Sequence, residues 1–184
     1  MRIIAGEFKG RRLDAPDWPG LRPTSDKLRE TLFNILGPSI RNARVLDGYA
    51  GTGAVGIEAL SRGAAHVTFV EKDRRAVALI EANLARCGVN TRYAIIRAWF
   101  AGIEQRLGES AFDVIVLDPP YGAETLAEAV AAAEPLVGDA TRLVIEHAKR
   151  DQPPARAGAL VLARTVTSGD SALAFYRRTA PSPE

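Results

Sequence analysis

The stretch Val45-Leu46-Asp47-Gly48-Tyr49-Ala50-Gly51-Thr52-Gly53-Ala54-Val55-Gly56 restricts the choice of fold more than any other part of the chain. A short apolar run after Arg44 leads into a carboxylate and a cluster of glycines. An amphipathic segment, Ala54 to Arg62, follows. That order predicts a strand, a tight turn and the start of a helix. Gly51 and Gly53 permit the left-handed backbone of such a turn and a close approach to a bound molecule. Gly56 permits helix and strand to pack closely. The spacing Gly51-x-Gly53-x-x-Gly56 matches the dinucleotide-binding pattern, and Glu71 lies about 20 residues on, at the end of the next predicted strand. A carboxylate there can accept both ribose hydroxyls of an adenosine. The competing reading is a purely structural turn, but the strand before, the helix after and the acid favour a nucleoside-containing cofactor.

Asp47 separates the candidate cofactors. It ends the first predicted strand, where a pyrophosphate would sit against a like charge. S-adenosylmethionine (AdoMet) brings a positive ammonium and a sulfonium instead, and a carboxylate beside them is attractive. Asp47 followed by Gly51-x-Gly53 therefore reads as an AdoMet site rather than a nicotinamide site. The plainer alternative is an ordinary turn aspartate.

The chain has 184 residues and a formal charge of +2, a single-domain length with no overall excess of charge. Charge thus permits a nucleic-acid partner without arguing for one. The lone cysteine, Cys87, excludes an internal disulfide and a multi-cysteine zinc site. It falls near the end of a predicted helix and reads as packing. His66 and His147 lack ligand-type neighbours and read as structural, so no metal is expected. The start, Met1 to Glu7, lacks the apolar core of a signal peptide. No run approaches the roughly 18 apolar residues of a membrane span. A cytoplasmic location without a membrane partner is the simplest expectation.

Residues 2–14 carry Arg2, Lys9, Arg11 and Arg12 and are punctuated by Gly6 and Gly10. They are expected to form a small basic hairpin, Arg2–Phe8 with Arg11–Leu13, within an amino-terminal extension over residues 1–20. Such a ribbon can grip phosphates; it can equally be a charged edge that discourages aggregation. Thr24 or Ser25 can cap a helix whose Leu28, Thr31, Leu32, Ile35 and Leu36 form one stripe. Beyond the glycine turn, strands are expected at His66–Glu71, Tyr93–Arg97, Phe112–Leu117 and Leu143–Glu146. Helices are expected at Asp73–Cys87, around Ile103–Leu107 and at Thr125–Glu134. Two last strands, Leu160–Arg164 and Leu173–Arg177, lie too close for an intervening helix and must be antiparallel. The expected fold is α/β: a mostly parallel seven-stranded sheet ending in an antiparallel hairpin, with helices on both faces, the Rossmann-like class I methyltransferase architecture. Residues 179–184 read as a disordered tail.

Asp118-Pro119-Pro120-Tyr121 ends a continuous apolar strand and so faces the same cleft as Asp47 and Gly51. The two prolines make a stiff corner with outward carbonyls. Asp118 and the carbonyl of Pro119 can accept the two hydrogens of an exocyclic amino group, favouring a pyramidal nitrogen whose lone pair returns from the ring. Tyr121 offers a face for a planar base. A base inside a helix is out of reach, so the target must be single-stranded or flipped out. The motif indicates amino-group methylation without choosing among guanine N2, adenine N6 and cytosine N4. Its structural alternative is a rigid loop.

The chain resembles the bacterial 16S rRNA guanine-N2 methyltransferases of the RsmD type. The resemblance rests on Arg2-Ile3-Ile4-Ala5-Gly6, Lys9-Gly10-Arg11-Arg12-Leu13, Arg22-Pro23-Thr24-Ser25-Asp26 and Leu32-Phe33-Asn34-Ile35-Leu36. It continues through Leu46-Asp47, Ala50-Gly51-Thr52-Gly53, Gly56 to Ala64, Val70-Glu71 and Asp118-Pro119-Pro120-Tyr121, and spans residues 1–178. It implies methyl transfer from AdoMet to one guanine of small-subunit rRNA within an assembled or assembling 30S subunit, by a monomer. The expected catalytic residues are Asp118, Pro119, Pro120 and Tyr121. The expected cofactor residues are Asp47, Gly48, Tyr49, Gly51, Thr52, Gly53, Glu71, Lys72, Ala98 and Asp118. RNA falls to Arg2, Lys9, Arg11, Arg12, Arg22 and Thr24, the last two at the cofactor or RNA entrance. The chain departs from the family at Gly48 and Tyr49, where Leu-Phe is usual. It departs again at Arg97-Ala98-Trp99, where an acid near the adenine is usual and backbone groups near Ala98 would have to serve. Three other readings remain: an adenine-N6 methyltransferase on DNA or RNA, a nicotinamide-dependent reductase, and a non-catalytic RNA-binding factor.

Overall fold

The computed structural model describes residues 1–19, 24–107 and 112–179. Arg22 and the tail from residue 180 on lie outside the described residues. The elements run α1 (Asp26–Leu36), β1 (Arg44–Gly48), α2 (Ala54–Ser61), β2 (His66–Glu71), α3 (Arg74–Arg86), β3 (Tyr93–Arg97), α4 (Glu104–Leu107), β4 (Val114–Leu117), α5 (Ala123–Ala133), β5 (Arg142–Ala148), β6 (Arg156–Ala157), β7 (Leu160–Ser168) and β8 (Ser171–Arg178). They form one sheet in the order β3-β2-β1-β4-β5-β8-β7-β6. β1 to β5 are parallel, and β8, β7 and β6 add on antiparallel to β5 and to one another.

Strand alternation divides the core between the two faces of this sheet. Val45, Val114 and Val116 join one apolar cluster with α1, α2 and α3, whereas Leu46, Ile115 and Leu117 join a second with α5. Helices therefore cover both faces, as the continuous apolar strands require. Each large side chain taken fully out of water contributes about 1.5–3 kcal/mol. Gly56 sits where a Cβ would overlap the Phe69 ring and approach Val67 Cγ1 at 2.8 Å, so α2 packs on β2 through a missing side chain.

Two expectations need correcting. The sheet has eight strands rather than seven, because Arg156–Ala157 pairs with Leu160 and Val161. A two-residue strand carries no periodicity that a sequence could display. The amino-terminal hairpin is present but shorter than expected: around the antiparallel Arg2–Arg12 bridge, the Ile3 N–H donates to the Arg11 carbonyl at 2.9 Å, the Gly10 N–H to the Ile3 carbonyl at 2.9 Å and the Leu13 N–H to the Met1 carbonyl at 3.1 Å. Amides between these two arms bond outside the segment. Those of Ile4 and Ala5 donate to the buried carboxylate of Glu58, at 2.8 and 3.0 Å, and that of Phe8 donates to Ser61 Oγ at 2.9 Å. The segment is thus a strap on α2. Ile3, Phe8 and Leu13 are buried beneath it while Arg2, Lys9, Arg11 and Arg12 stay exposed.

Cys87 is buried at the C-cap of α3. His147 is buried with Nδ1 2.9 Å from the Ala148 carbonyl. No described helix is long and apolar enough to cross a membrane.

Candidate active site

The strand order reverses between β1 and β4, which are neighbours with the register Gly48 opposite Leu117. Connections leave these two strands toward opposite sides and open a crevice at their carboxyl ends. Asp47 and the glycine turn stand on one lip, and Asp118-Pro119-Pro120-Tyr121 on the other. The lips touch: the Asp118 N–H donates to the Gly48 carbonyl at 3.4 Å. A cavity of about 730 Å³ opens there, within the range of small-molecule sites.

The glycine turn is held from below and from one side. Gly51 and Gly53 adopt positive φ, 56° and 75°. The Ala50 N–H donates to the Val70 carbonyl at 3.0 Å and the Gly51 N–H to Glu71 Oε2 at 2.8 Å. The other Glu71 oxygen accepts from the Asp73 N–H at 2.9 Å. Glu71 thus aligns the turn with the end of β2. Tyr49 also takes positive φ, 60°, which is costly for a side chain with a Cβ. Its ring lies against Phe100, with centroids 5.3 Å apart.

Asp47 is buried, and Oδ2 accepts the Gly56 N–H at 2.8 Å, which ties the end of β1 to the first turn of α2. Burial pushes its carboxyl well above the usual carboxylate range. The Gly56 N–H opposes that shift, and the negative charges of Asp118 and Glu71 add to it. Across the crevice Asp118 is half-buried, and its Oδ2 accepts the Thr24 hydroxyl at 3.1 Å. Tyr121 is 38% exposed, with its hydroxyl 3.1 Å from Ser171 Oγ at the tip of the β7–β8 hairpin. That tip, Ser168 to Ser171, forms part of the wall.

Of the residues expected at the site, Asp47, Tyr49, Gly51, Thr52, Glu71, Lys72, Ala98, Asp118, Pro119, Pro120, Tyr121 and Thr24 line this cavity. Gly48 and Gly53 do not. Gly48 closes β1, and a Cβ there would overlap Leu117 Cδ2 and crowd Phe100. Gly53 is the left-handed N-cap of α2. Arg2, Lys9, Arg11 and Arg12 lie away from the wall on the strap. Sequence reasoning passed over Glu146, Trp18 and Trp99, which line it. Glu146 follows Ile145, the register partner of Leu117, so it stands beside Asp118 on the next strand, near that strand's carboxyl end. Its place at a strand's carboxyl end was the available signal. Trp18, in a Pro-rich loop, gave none.

Residues 1–177 match the family model described as "Conserved hypothetical protein 95". The Escherichia coli K12 protein named Ribosomal RNA small subunit methyltransferase D is 35% identical, with 98% of this chain and 91% of that protein covered. The Bacillus subtilis protein YlbH is 36% identical, with 97% and 99% covered. Among solved structures, yhhF from Escherichia coli aligns with a TM-score of 0.81 at 34% identity, covering 98% of this chain and 99% of that one.

Proposed function

From the premise that this chain belongs to the conserved hypothetical protein 95 family, the RsmD type, we propose that it transfers a methyl group from AdoMet to the exocyclic N2 of a guanine in 16S rRNA. The observation that carries this reading is the single cavity shared by the glycine turn and the Asp-Pro-Pro-Tyr corner, with Asp118 bonded across the crevice to Gly48.

The residues present fit AdoMet. Asp47 and Glu71, with Asp118 and Glu146 opposite, give the cavity an acidic lining that suits a cationic ligand and repels a pyrophosphate. When bound, AdoMet supplies a methyl carbon carried on a positive sulfur. Asp47 would hold its positive groups, and Glu71 and Lys72 its ribose. Backbone groups at Ala98, whose own N–H is taken by the Glu71 carbonyl at 3.1 Å, would border the adenine.

The other lip handles the base. Asp118 and the Pro119 carbonyl accept the amino hydrogens and make the nitrogen's lone pair available. Two prolines in succession keep that pair of acceptors rigid, so little is lost in positioning. The Thr24 hydroxyl orients Asp118. Tyr121, steadied by Ser171, stacks on the ring. The chain acts as a cytoplasmic monomer on an assembled or assembling 30S subunit.

The test is label transfer from tritiated AdoMet to purified 30S subunits and to naked 16S rRNA, followed by nucleoside mass spectrometry. N2-methylguanosine, lost in Asp118→Ala with the fold retained, is the expected result. N6-methyladenosine would move the substrate assignment to adenine. Full activity of Asp118→Ala would end the catalytic assignment.

A further inference from the structure

The Asp118-Pro119-Pro120-Tyr121 corner suits any exocyclic amino group, so the choice of base has to come from what stands beside it. The next cavity-lining group across the sheet is Glu146, which is buried, at 6% exposure. Ile145 is the register partner of Leu117, which sets Glu146 level with Asp118 on the adjacent strand. Adjacent strands are about 4.8 Å apart.

Strand alternation fixes the face on which this side chain lies. Leu143 and Ile145 belong to the cluster under α5, whereas Val144 belongs to the cluster on the opposite face. Glu146 shares the face of Val144, as Asp47 shares that of Val45. Its partner across β8 is Leu173, buried in the same cluster as Val144. A carboxylate thus interrupts an apolar pattern where β5 reaches the cavity. Burying a carboxylate is unfavourable, and packing on this face would be met by another valine or leucine.

The bases differ at the ring atom next to the amino group. In guanine the 2-amino group adjoins N1–H, a donor. In adenine the 6-amino group adjoins a bare N1, and in cytosine the 4-amino group adjoins a bare N3, both acceptors. An ionised carboxylate only accepts. Beside the held amino group it gains a charge-assisted hydrogen bond from guanine and meets a lone pair in the other two. Two adjacent donors on one ring edge also suit two carboxylates one strand spacing apart, which otherwise repel each other. A carboxylate has room for about four hydrogen bonds, so this contact adds to those that Glu146 makes within the chain.

We propose that Glu146 selects guanine, by accepting N1–H of the base while Asp118 and the Pro119 carbonyl hold its amino group. This rests on the proposed function and adds the base recognition that the corner lacks. The strand order β1-β4-β5 sets the cofactor lip, the amino-group acceptors and the selector in sequence across the sheet. Glu146 therefore stands two strands from Asp47, about 10 Å away.

The experiment starts by mapping the guanine that wild type modifies. 16S rRNA is then joined from fragments with either guanine or 2-aminopurine at that position and assembled into 30S subunits. 2-Aminopurine keeps the amino group and lacks N1–H. Single-turnover methyl transfer is measured for wild type and Glu146→Gln, with calorimetry for AdoMet affinity and thermal melting as the folding control. Wild type is expected to methylate guanine about 10²-fold faster than 2-aminopurine. The amide of Glu146→Gln can donate to the bare N1, so guanine methylation should fall about tenfold, 2-aminopurine methylation should rise and the preference should collapse. AdoMet affinity and melting should hardly change. The proposal is overturned if wild type methylates both bases equally fast, a comparison that needs no variant. It is also overturned if Glu146→Gln keeps the wild-type preference, or if it loses AdoMet affinity and slows both substrates alike, since Glu146 would then serve the cofactor. N2-methylguanosine formed without preference sinks the selector alone. If wild type forms N6-methyladenosine and no N2-methylguanosine, the proposed function falls and the selector with it.

Discussion

Two buried carboxylates sit on either side of α2 and are treated in opposite ways. Glu58, on the helix, is fully buried, with both carboxylate oxygens bonded. It accepts the amides of Ile4 and Ala5, and it pairs with Arg62 Nε at 2.8 Å. Asp47, at the end of β1, is almost as deeply buried but receives the Gly56 N–H and faces the negative Asp118 and Glu71. The first acid is compensated within the chain and fastens the strap. The second is crowded by its own kind, an arrangement that folding alone would not favour. An acid left under-compensated beside a cavity is the arrangement that the proposed cationic cofactor would complete.

The comparison can be broken at its strongest point first. Glu58→Ala leaves two strap amides and Arg62 without their partner. A loss of about 3–5 kcal/mol in unfolding free energy is expected, read by denaturant titration, with hydrogen exchange rising at Ile4 and Ala5. If the variant keeps its stability and instead loses AdoMet binding, the division of labour between the two acids is wrong. Asp118→Asn should behave in the opposite way. It removes a charged acceptor from the base lip, and methyl transfer should fall by about 10²–10³ while the melting temperature hardly changes. A large drop in stability there would return Asp118 to the fold.

The same contrast explains what the sequence disclosed. The glycine turn, the acid at Glu71 and the Asp-Pro-Pro-Tyr corner were legible because each is local: a strand end, a turn and a helix start lie within a dozen residues of chain. The parallel order and the antiparallel end followed from the lengths of the connections. What stayed hidden depends on distant partners. The hairpin expected over residues 2–13 pairs only at its open end, because the amides of Ile4, Ala5 and Phe8 meet Glu58 and Ser61, more than 50 positions on. No local pattern announces that a glutamate within a helix will act as a clasp. Gly48 looked like part of a ligand loop, yet its missing side chain makes room for Leu117 and Phe100. Trp18 and Trp99 lie in separate loops and share a rim because residues 11–18 follow α3, a path their own sequence does not announce.

Gly56 tests the shared support of both acids. Its N–H anchors Asp47, and its empty side-chain position accepts Phe69 and Val67. Gly56→Ala should cost about 1–3 kcal/mol through overpacking. Because α2 must shift away from β2, it should also loosen Asp47 and weaken AdoMet binding. Gly10→Ala serves as the matched control: a Cβ there meets nothing within 4 Å although φ is +83°, so its cost is backbone strain away from the cavity. Equal cofactor affinity in the two variants would show that the Gly56 contact matters to the fold alone.

The smallest effect discriminates most finely. Burial holds the Asp47 carboxyl well above its usual value of 3.8 in the free protein, whereas a bound cation favours the ionised form and lowers it again. Binding AdoMet therefore releases a proton wherever the pH lies between those two values. Affinity should be full above the free-protein pKa and fall as pH drops through it, by at most about tenfold per pH unit, then level off below the value in the complex. Calorimetry in buffers of different ionisation enthalpy would register the proton directly. Asp47→Asn should remove that portion of the pH dependence and bind more weakly at neutral pH, while Glu58→Gln should leave the profile as it is. A profile unchanged by Asp47→Asn would mean that the crowded acid, like the clasped one, serves the fold through its bond to Gly56.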